Sequence, residues 1–487
     1  MTTSLQLAPH PRAQLTPLER LEALCDPGSL QLLRTGVRSS ALGDRAVDGD
    51  GVLTGAGTVK GRPVFCYAED GAFLGGSLGQ QHASSIARTL RLAATARAPV
   101  VGFVHSAGAR LQEGVDALGG YGDIFNAMVA LSGVVPQICV VTGTSAGGGA
   151  YAPALADFLI MTKDAQMFLT GPGVVREALG EEVDAASLGG SAVHSSNGVA
   201  HLVADDDDDA ARAARDLLGF LPQYAGGERA ISGTLPAEPP GVDIGALVPR
   251  EHRKVYDVRD VIAGLADRGR FVEICPSWAR NVVCGFGRIE GRPVGVVANQ
   301  PKYLGGVLNA DASQKAARFV RTCHLYGVPL VALVDTPGFL PGTRQEQAGV
   351  IRHGAKLVHA FAEAAVPKVT VVLRKSFGGA HIAMNSQQLG AHFTFAWPDA
   401  QIGVMAATQA VALIHRREIA AAADPGAQRA LLADRYEAEQ LSAAEAARRG
   451  QIDEIIAPHE TRERLAWAMR TLAGTDRRPR PAGNVPL

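Results

Sequence analysis

Short apolar runs and longer amphipathic stretches alternate along the first half of the chain. The uninterrupted apolar run at 138–141 is typical of a buried strand, whereas residues 82–96 have the spacing of a helix. The same reasoning predicts further strands at 51–59, 64–68, 100–104, 157–162 and 166–169, and further helices at 15–24, 123–132 and 210–218. Strands and helices therefore alternate along this half.

The first of these helices has its own start signal. Thr16 is the predicted N-cap, Pro17 takes the first helical position, and Glu19 stands in the capping-box place. The segment 1–14 before it is predicted to be a disordered arm. Five aspartates at 205–209 predict a solvated loop that also caps the helix at 210–218.

A run of small residues links the strand at 138–141 to the next helix. It ends in Gly147, Gly148 and Gly149, and an alanine-rich segment follows. A strand that turns into a helix in this way leaves backbone N–H groups free at the helix start. Donors in such a place can hold a developing oxyanion.

This glycine turn occurs twice. Gly378-Gly379-Ala380 follows the apolar run 366–372 as Gly147-Gly148-Gly149 follows 135–141, about 230 residues earlier. Further pairs keep the same order and spacing, namely 57–64 with 287–294, Pro99 with Pro329, and 106–108 with 336–338. Chance similarity of apolar runs is an alternative for any one pair, but not for the whole set, which predicts two copies of one fold.

The second copy repeats the pattern of the first. We predict a helix at 311–326, a strand at 330–335 and a helix from about residue 349. The proline-rich stretch 235–241 is the predicted connector, so the domains are expected at 15–240 and 250–487. The basic, proline-rich residues 477–486 are expected to be an extended arm or disordered.

Composition excludes several classes of protein. The chain is 47% hydrophobic and 20% charged, which is typical of a globular protein. Its net charge of −1 gives no strong electrostatic field that would attract nucleic acid or a membrane surface. No run reaches the length of a membrane span, and the N-terminus has no secretory signal. The six cysteines include no Cys-x-x-Cys pair, which favours free thiols in the cytoplasm over a zinc site.

Two sets of oxyanion donors suit a reaction with two enolate-like species, such as thioester enolates. The alternative is that the glycines only let helix and strand pack closely. A P-loop is absent, and the first turn does not fit a dinucleotide fingerprint. Gly143-Thr-Ser-Ala-Gly147 fits a hydrolase elbow with Ser145 as nucleophile, but the second copy has Arg374 in place of its first glycine.

Several motifs resemble one family, the carboxyltransferase (β) subunit of biotin-dependent acyl-CoA carboxylases. The similarity covers about residue 15 to the end and is greatest to propionyl-CoA and acetyl-CoA carboxylase β chains. It rests on Gly75-Gly-Ser-Leu-Gly79, Ser106-Ala-Gly-Ala-Arg-Leu-Gln-Glu-Gly114, Ser145-Ala-Gly-Gly-Gly-Ala-Tyr151, Gly285-Phe-Gly-Arg-Ile-Glu-Gly-Arg-Pro-Val294, Asp335-Thr-Pro-Gly-Phe-Leu-Pro-Gly342, Ile351-Arg-His-Gly-Ala-Lys356, Ala396-Trp-Pro398 and Gly483-Asn-Val-Pro-Leu487.

The resemblance implies an α/β fold of two tandem crotonase-like ββα-spiral domains. It also implies a hexamer built as a trimer of dimers. The N-terminal domain is then expected to bind acyl-CoA, and the C-terminal domain carboxybiotin on a partner carrier. The chain has no Met-Lys biotinylation site, so biotin must come from a biotin carboxylase or biotin carrier (α) subunit. It also has no ATP-grasp features, so ATP is expected to be used on that partner. No metal is expected.

The resemblance also assigns residues. The N–H groups of Gly147 and Gly148 are expected to hold the thioester enolate, and those of Gly379 and Ala380 the biotin ureido oxygen. No side-chain base is then required, since the α-proton passes to biotin. The remaining expectations are substrate contacts at Ser106, Ala107, Gly108, Ala109, Arg110, Ala146, Tyr151 and Ile382, and biotin contacts at Gly338, Phe339 and Gly378.

Three positions depart from the family pattern or vary within it. His105 stands where the family usually has Asp, and Ala107 where it usually has Gly. His105 is either a satisfied loop residue or a residue near CoA. Ile382 is apolar where propionyl-CoA-preferring relatives tend to have Asp, so we expect acetyl-CoA or a broader short-chain range as substrate.

Other functions remain open at this point. A subunit of a biotin-dependent decarboxylase or transcarboxylase would use the same site in the opposite direction. A crotonase-type hydratase or a hydrolase would need catalytic carboxylates or a serine triad. A non-catalytic scaffold in a carboxylase complex is a further alternative, given His105 and Ala107. The sequence names neither the partner nor the pathway.

Overall fold

A computed structural model describes residues 14–228 and 241–474. The chain divides into two compact units, Met1–His194 with Leu202–Leu218, and Ser195–His201 with Gly219–Leu487. Residues 1–13 of the predicted arm at 1–14, most of the connector at 235–241 and the tail at 477–486 lie outside the described residues. The domain limits 15–240 and 250–487 therefore stay a prediction.

The first half contains eight strands and eight helices among its described residues. The strands are β1 Gln31–Leu33, β2 Val52–Val59, β3 Arg62–Glu69, β4 Val100–Ser106, β5 Gln137–Ala146, β6 Phe158–Thr162, β7 Gln166–Phe168 and β8 Leu202–Ala204. The helices are α1 Pro17–Leu24, α2 Gln80–Ala96, α3 Val115–Leu131, α4 Gly148–Leu155, α5 Pro172–Leu179, α6 Ala185–Gly189, α7 Ser191–Ser196 and α8 Asp207–Phe220.

These strands form one mixed sheet in the order β1-β2-β3-β4-β5-β6-β8, with β7 beside the end of β5. Strands β2 and β3 are an antiparallel hairpin, and both residues of its turn, Lys60 and Gly61, have positive φ. From β3 onwards the neighbours are parallel. Parallel strands are buried on both faces, which explains their continuous apolar runs.

Contacts at the start of the chain confirm one prediction and correct another. The Thr16 and Glu19 side chains form the predicted capping box. Asp207, in contrast, is buried and not solvated: its carboxylate accepts from Arg20 Nε at 2.9 Å and from the Leu15 N–H. The middle of the acidic run therefore holds α1, because a buried Arg requires a buried partner.

The second half repeats this plan with additional helices. Its strands are β9 Phe271–Ile274, β10 Val282–Ile289, β11 Arg292–Asn299, β12 Leu330–Thr336, β13 Lys368–Phe377, β14 Phe393–Ala396, β15 Gln401–Gly403 and β16 Glu454–Ile455. Its helices are α9 Ile244–Leu247, α10 Val258–Leu265, α11 Ala310–Leu325, α12 Thr343–Gln347, α13 Val350–Glu363, α14 Gly378–Ala383, α15 Ala407–Ile414, α16 Arg416–Ala421, α17 Pro425–Tyr436, α18 Ala443–Arg448 and α19 Thr461–Thr471.

The second sheet has the order β16-β14-β13-β12-β11-β10-β9, with β15 beside the end of β13. The bridge between Leu78 and Ala109 recurs between Leu308 and Phe339. The register shift near the end of β4 recurs near the end of β12. Irregular features that recur at matching positions confirm the predicted repeat.

Other expectations concern cysteines, metals and membranes. All six cysteines are free and buried. Within the described ranges, no group of three or more His, Cys, Asp or Glu side chains is arranged to bind a metal ion. No helix in those ranges combines the length and apolar character needed to cross a bilayer.

Candidate active site

The first glycine turn lies between the end of β5 and the start of α4. Gly147 is the N-cap of α4 with φ 59°, a left-handed conformation that favours glycine. Its N–H donates to the Phe168 carbonyl at 3.1 Å. This amide is therefore not a free donor, contrary to the expectation for Gly147. Gly147 turns the chain, and the candidate oxyanion donor is the next amide.

Gly148 is the first residue of α4, and no side chain caps the helix. An N–H at this position has no acceptor within its own helix. A Cβ at Gly148 would lie 2.8 Å from the Tyr121 ring, so no other residue fits without a shift. The Gly148 amide thus depends on close packing against α3.

Tyr121, in α3, packs against this turn. Its hydroxyl lies 3.3 Å from Ser106 Oγ and 3.4 Å from the position that a Cβ at Gly149 would take. Burial raises the pKa of the Tyr121 hydroxyl, which therefore stays protonated. Sequence reasoning missed Tyr121 because three nearby glycines, at 119, 120 and 122, moved the predicted helix start to residue 123.

Ser145 is not an exposed nucleophile. Its side chain is fully buried, and its Oγ donates to the Gly149 carbonyl at 2.8 Å. A hydrolase elbow needs its serine exposed at the top of the turn. The contact therefore argues against the hydrolase alternative and gives Ser145 a structural role in the first turn of α4.

The loop after β4 lies beside this turn. Ser106 is buried, and its Oγ accepts from the Gly108 N–H at 3.3 Å. The Ala107 N–H donates to the Gly75 carbonyl, and Ala109 bridges to Leu78. These bonds fix the conformation of the loop. Ala107 is exposed, and its short side chain occupies little space next to the glycine turn. Of the other predicted contacts, Ala146 is half-buried and Tyr151 is 51% exposed.

Arg110 does not match its predicted role. The side chain is fully buried, and Nη1 donates to Asp50 Oδ1 at 2.6 Å and to Glu113 Oε1 at 2.9 Å. Nη2 donates to the carbonyls of Asp50 and Ser77. A guanidinium committed to four acceptors inside the protein is not available to a substrate, so Arg110 braces the loop.

His105 precedes this loop and is half-buried. Its N–H donates to Glu69 Oε2 at 2.8 Å. A Cβ at Gly71 or Gly143 would lie 2.3 or 2.4 Å from its ring, so the imidazole fills the space that two glycines leave. Burial lowers the pKa of His105. These contacts favour a packed structural residue over a contact with CoA.

The second glycine turn lies between β13 and α14. Gly378 has φ 59°, the same value as Gly147, and no side chain caps α14. Gly379 and Ala380 follow in the first turn of the helix, where N–H groups lack an intrahelical acceptor. Ile382 is 49% exposed on the same helix.

Phe339 lies against this turn. Gly338, with φ 132°, places it after β12, and the chain there is fixed by the bridge to Leu308. The ring is 3.6 Å from the position of a Cβ at Gly379 and 3.2 Å from one at Gly354. The structure thus brings Phe339, Gly338 and the second glycine turn together.

A buried ion pair supports the second turn, and sequence reasoning missed it. Arg374 Nε donates to Asp335 Oδ2 at 2.8 Å, and both side chains are almost completely buried. Arg374 Nη1 also donates to the carbonyls of Pro249, Glu251 and Lys254. The available signal was an Asp and an Arg at the ends of two adjacent apolar runs.

Known proteins resemble this chain over nearly its whole length. The carboxyl transferase domain model matches residues 8–484. The methylmalonyl-CoA carboxyltransferase 12S subunit of Propionibacterium freudenreichii subsp. shermanii is 46% identical, covering 98% of this chain and 92% of that protein. The propionyl-CoA carboxylase beta chain of Saccharopolyspora erythraea is 45% identical, covering 98% and 91%.

A solved structure agrees with these relatives. The crystal structure of transcarboxylase 12S, determined with methylmalonyl-coenzyme A and methylmalonic acid bound, has a TM-score of 0.91 and 45% identity. It covers 96% of this chain and 91% of that one. The fold is accordingly that of the crotonase-like carboxyltransferases. This chain belongs to the carboxyl transferase family of biotin-dependent acyl-CoA enzymes.

Proposed function

We propose that this chain transfers a carboxyl group from carboxybiotin, carried by a partner protein, to the α-carbon of a short-chain acyl-CoA. Acetyl-CoA would give malonyl-CoA, and propionyl-CoA would give methylmalonyl-CoA. The observation that carries the proposal is the pair of equivalent glycine turns in a chain of this family. Each turn starts an uncapped helix at the end of a central strand.

The first turn is assigned to the acyl-CoA thioester. An α-proton beside a thioester is weakly acidic, and removing it places negative charge on the thioester oxygen. The Gly148 N–H, held by the Tyr121 ring, is the donor assigned to that oxygen. A fixed N–H dipole in a site that excludes water lowers the barrier to removal of the α-proton, because the dipole does not have to reorient when the charge develops.

The second turn is assigned to biotin. The Phe339 ring beside Gly379 offers a flat apolar surface next to backbone donors, which suits a planar ureido group. Carboxybiotin, when bound, supplies the carboxyl group and the ureido atoms that receive the α-proton. Gly379 and Ala380 would hold the ureido oxygen, with Gly338, Phe339 and Gly378 around the ring. No side-chain base is needed in this assignment.

The assembly follows from the relatives. The 12S transcarboxylase is described as a hexamer and as a multienzyme core. We assign this chain the same organisation, a trimer of dimers, with a biotin carboxylase or biotin carrier (α) subunit as its partner. Acyl-CoA is placed on the N-terminal half and biotin on the C-terminal half. The cytoplasm is the compartment in which these partners and CoA esters occur together.

Fixation of ¹⁴C-bicarbonate tests the proposal. The chain is mixed with ATP, a biotin carboxylase, candidate biotinylated carriers and a panel of acetyl-, propionyl- and butyryl-CoA. Acid-stable label in the acyl-CoA is expected, and it must depend on both this chain and the carrier. Absence of label with every carrier would contradict the proposal and leave the scaffold alternative or transfer in the opposite direction.

A second candidate is carboxyl transfer out of methylmalonyl-CoA, as in a transcarboxylase or decarboxylase. The identity to the methylmalonyl-CoA carboxyltransferase 12S subunit favours it. Because the transfer is reversible, both candidates allow label to pass from methylmalonyl-CoA to the carrier without ATP. The second candidate is distinguished by little fixation of bicarbonate into any acyl-CoA.

A further inference from the structure

A polar pair lies behind the second glycine turn. Ser376, near the end of β13, and His381, in α14, are joined by a contact of 2.9 Å between Oγ and Nδ1. Ser376 is only 1% exposed. Among the described residues, neither side chain has another hydrogen bond or ion pair.

This contact fixes the tautomer of the imidazole. A buried hydroxyl needs an acceptor for its proton, and Nδ1 is the acceptor that Ser376 has in the described part of the chain. The Ser376 O–H therefore donates to Nδ1, and the ring proton resides on Nε2. In the first half the equivalent serine, Ser145, donates to the Gly149 carbonyl instead, so the arrangement is particular to the second half.

The second ring nitrogen is available to a ligand. His381 is half-buried. Its Nε2 has no hydrogen-bond partner among the described residues and is not sealed from solvent. Burial lowers the pKa of His381, so the ring is uncharged near neutral pH. In the chain, His381 directly follows Ala380, whose N–H is assigned to the biotin ureido oxygen, and precedes Ile382, which is assigned to the acyl group.

We propose that His381 donates its Nε2–H to carboxybiotin bound on the C-terminal half and that Ser376 is the positioning residue that fixes this tautomer. The inference rests on the proposed function and adds a side-chain donor to the same site. An uncharged donor can stabilise negative charge on a ureido or carboxylate oxygen without itself gaining or losing a proton.

Nitrogen NMR tests the tautomer without biotin or acyl-CoA. In protein labelled with ¹⁵N-histidine, the signals lost in His381→Phe identify this ring. We expect the wild-type ring to carry its proton on Nε2, and Ser376→Ala to give a mixture of tautomers. A wild-type ring protonated on Nδ1, or a tautomer unchanged in Ser376→Ala, would overturn the inference.

Kinetics test the contact with biotin. The probe is free biotin as acceptor, with malonyl-CoA or methylmalonyl-CoA as carboxyl donor. His381→Phe is expected to lower kcat about 10²-fold, the size found for loss of one oxyanion donor. KM for the CoA ester should be unchanged. His381→Gln, which keeps an N–H near the position of Nε2, should recover most of the rate.

The controls separate this inference from the proposed function. His359→Gln, at an exposed position on α13, should behave as wild type. Wild-type protein that transfers no carboxyl group to biotin counts against the proposed function, while the NMR result still decides the tautomer. Wild-type protein that is active, with His381→Phe equally active, overturns the role of His381 alone.

Discussion

The two glycine turns share one backbone angle and differ in their surroundings. Gly147 and Gly378 share a φ of 59°. At the first turn a Cβ on Gly148 would lie 2.8 Å from the Tyr121 ring, whereas at the second a Cβ on Gly379 would make an ordinary contact of 3.6 Å with Phe339. The first turn is therefore closely packed from inside the protein, and the second keeps space beside an aromatic ring.

This difference indicates what each half retained after duplication. Both kept the strand-to-helix turn that frees backbone donors. Only the residues around it diverged, which is expected if the two turns hold different ligands. Variants that affect one half and spare the other test this interpretation directly.

The largest expected effect concerns the buried ion pairs that brace the two halves. Arg110→Met leaves Asp50 buried without its cationic partner. Arg374→Met leaves the buried Asp335 with only the more distant Lys375 Nζ, at 3.8 Å. Removing one member of such a pair costs about 3–5 kcal/mol. Each variant should lower the urea concentration at which its own half unfolds. Hydrogen exchange of the backbone amides measures the unfolding of each half separately.

The exposed pair of Arg38 with Asp48 provides the control. Arg38→Met should change stability by less than about 1 kcal/mol, because exposed pairs contribute little. If Arg110→Met lowered the protection of backbone amides against hydrogen exchange equally in both halves, the prediction that each half responds separately would be wrong.

The next effect concerns the turns themselves. Gly148→Ala should lower kcat/KM by about 10²–10³, because the Tyr121 ring or the Gly148 amide must move. Gly379→Ala should lose less than about tenfold, since its Cβ finds room, whereas the larger Gly379→Val should abolish transfer.

Gly119→Ala is the matched control, because a Cβ at this position in α3 meets no atom within 4 Å. Each variant should remain folded and keep the oligomeric state of the wild-type protein. Near-normal turnover in Gly148→Ala would remove the first turn from the mechanism.

A smaller effect is expected at the exposed positions that follow the turns, Tyr151 and Ile382. Ile382→Asp should shift the preference from acetyl-CoA towards propionyl-CoA. The size is limited to about 1–3 kcal/mol, the discrimination that one methylene provides. The ratio of kcat/KM for the two CoA esters measures it, with Tyr151→Phe as comparison. An unchanged ratio would contradict a role for Ile382.

The smallest effect concerns the first residue of the central strand in each half. Gln137 donates to the Met128 carbonyl, and Lys368 donates to the Phe361 carbonyl from the equivalent place. Burial lowers the pKa of Lys368 from 10.5 to about 8. The unfolded chain therefore binds the proton more tightly, and this residue's contribution to stability falls as the pH drops from 10.5 towards 8.

Lys368→Gln should accordingly raise the free energy of unfolding at neutral pH by about 1 kcal/mol. The pKa shift corresponds to roughly 3 kcal/mol, but the loss of the hydrogen bond to the Phe361 carbonyl offsets most of it. The gain should shrink as the pH approaches 10.5 and vanish above it, where the lysine is neutral in both states. Urea unfolding at the two pH values measures it, with the exposed Lys60→Gln as control. A gain that is constant with pH would exclude ionisation as its cause.

Sequence patterns predicted the parts of the fold that depend on burial. The runs at 100–104 and 138–141 match the apolar parts of β4 and β5, and the spacing of repeated motifs gave the duplication. The same strands extend to Ser106 and Ala146, because their last residues pair by register and not by hydrophobicity. Those extensions place the site.

The side-chain contacts of the site could not be read from the sequence. Tyr121 and Asp207 belong to segments whose local composition suggests flexibility or solvation, and tertiary contacts override both signals. The engagement of the Gly147 amide depends on β7, which pairs from a distance along the chain. Local pattern has no access to such contacts.

The imidazole of His105, packed against Gly71 and Gly143, has an evolutionary consequence. A smaller residue at 105 would leave a void that either glycine position could fill with a methyl group, and a larger residue at either glycine would exclude the imidazole. The three positions should therefore covary among homologous chains. His105 would then mark a lineage by its compensating glycines and not by a change of substrate.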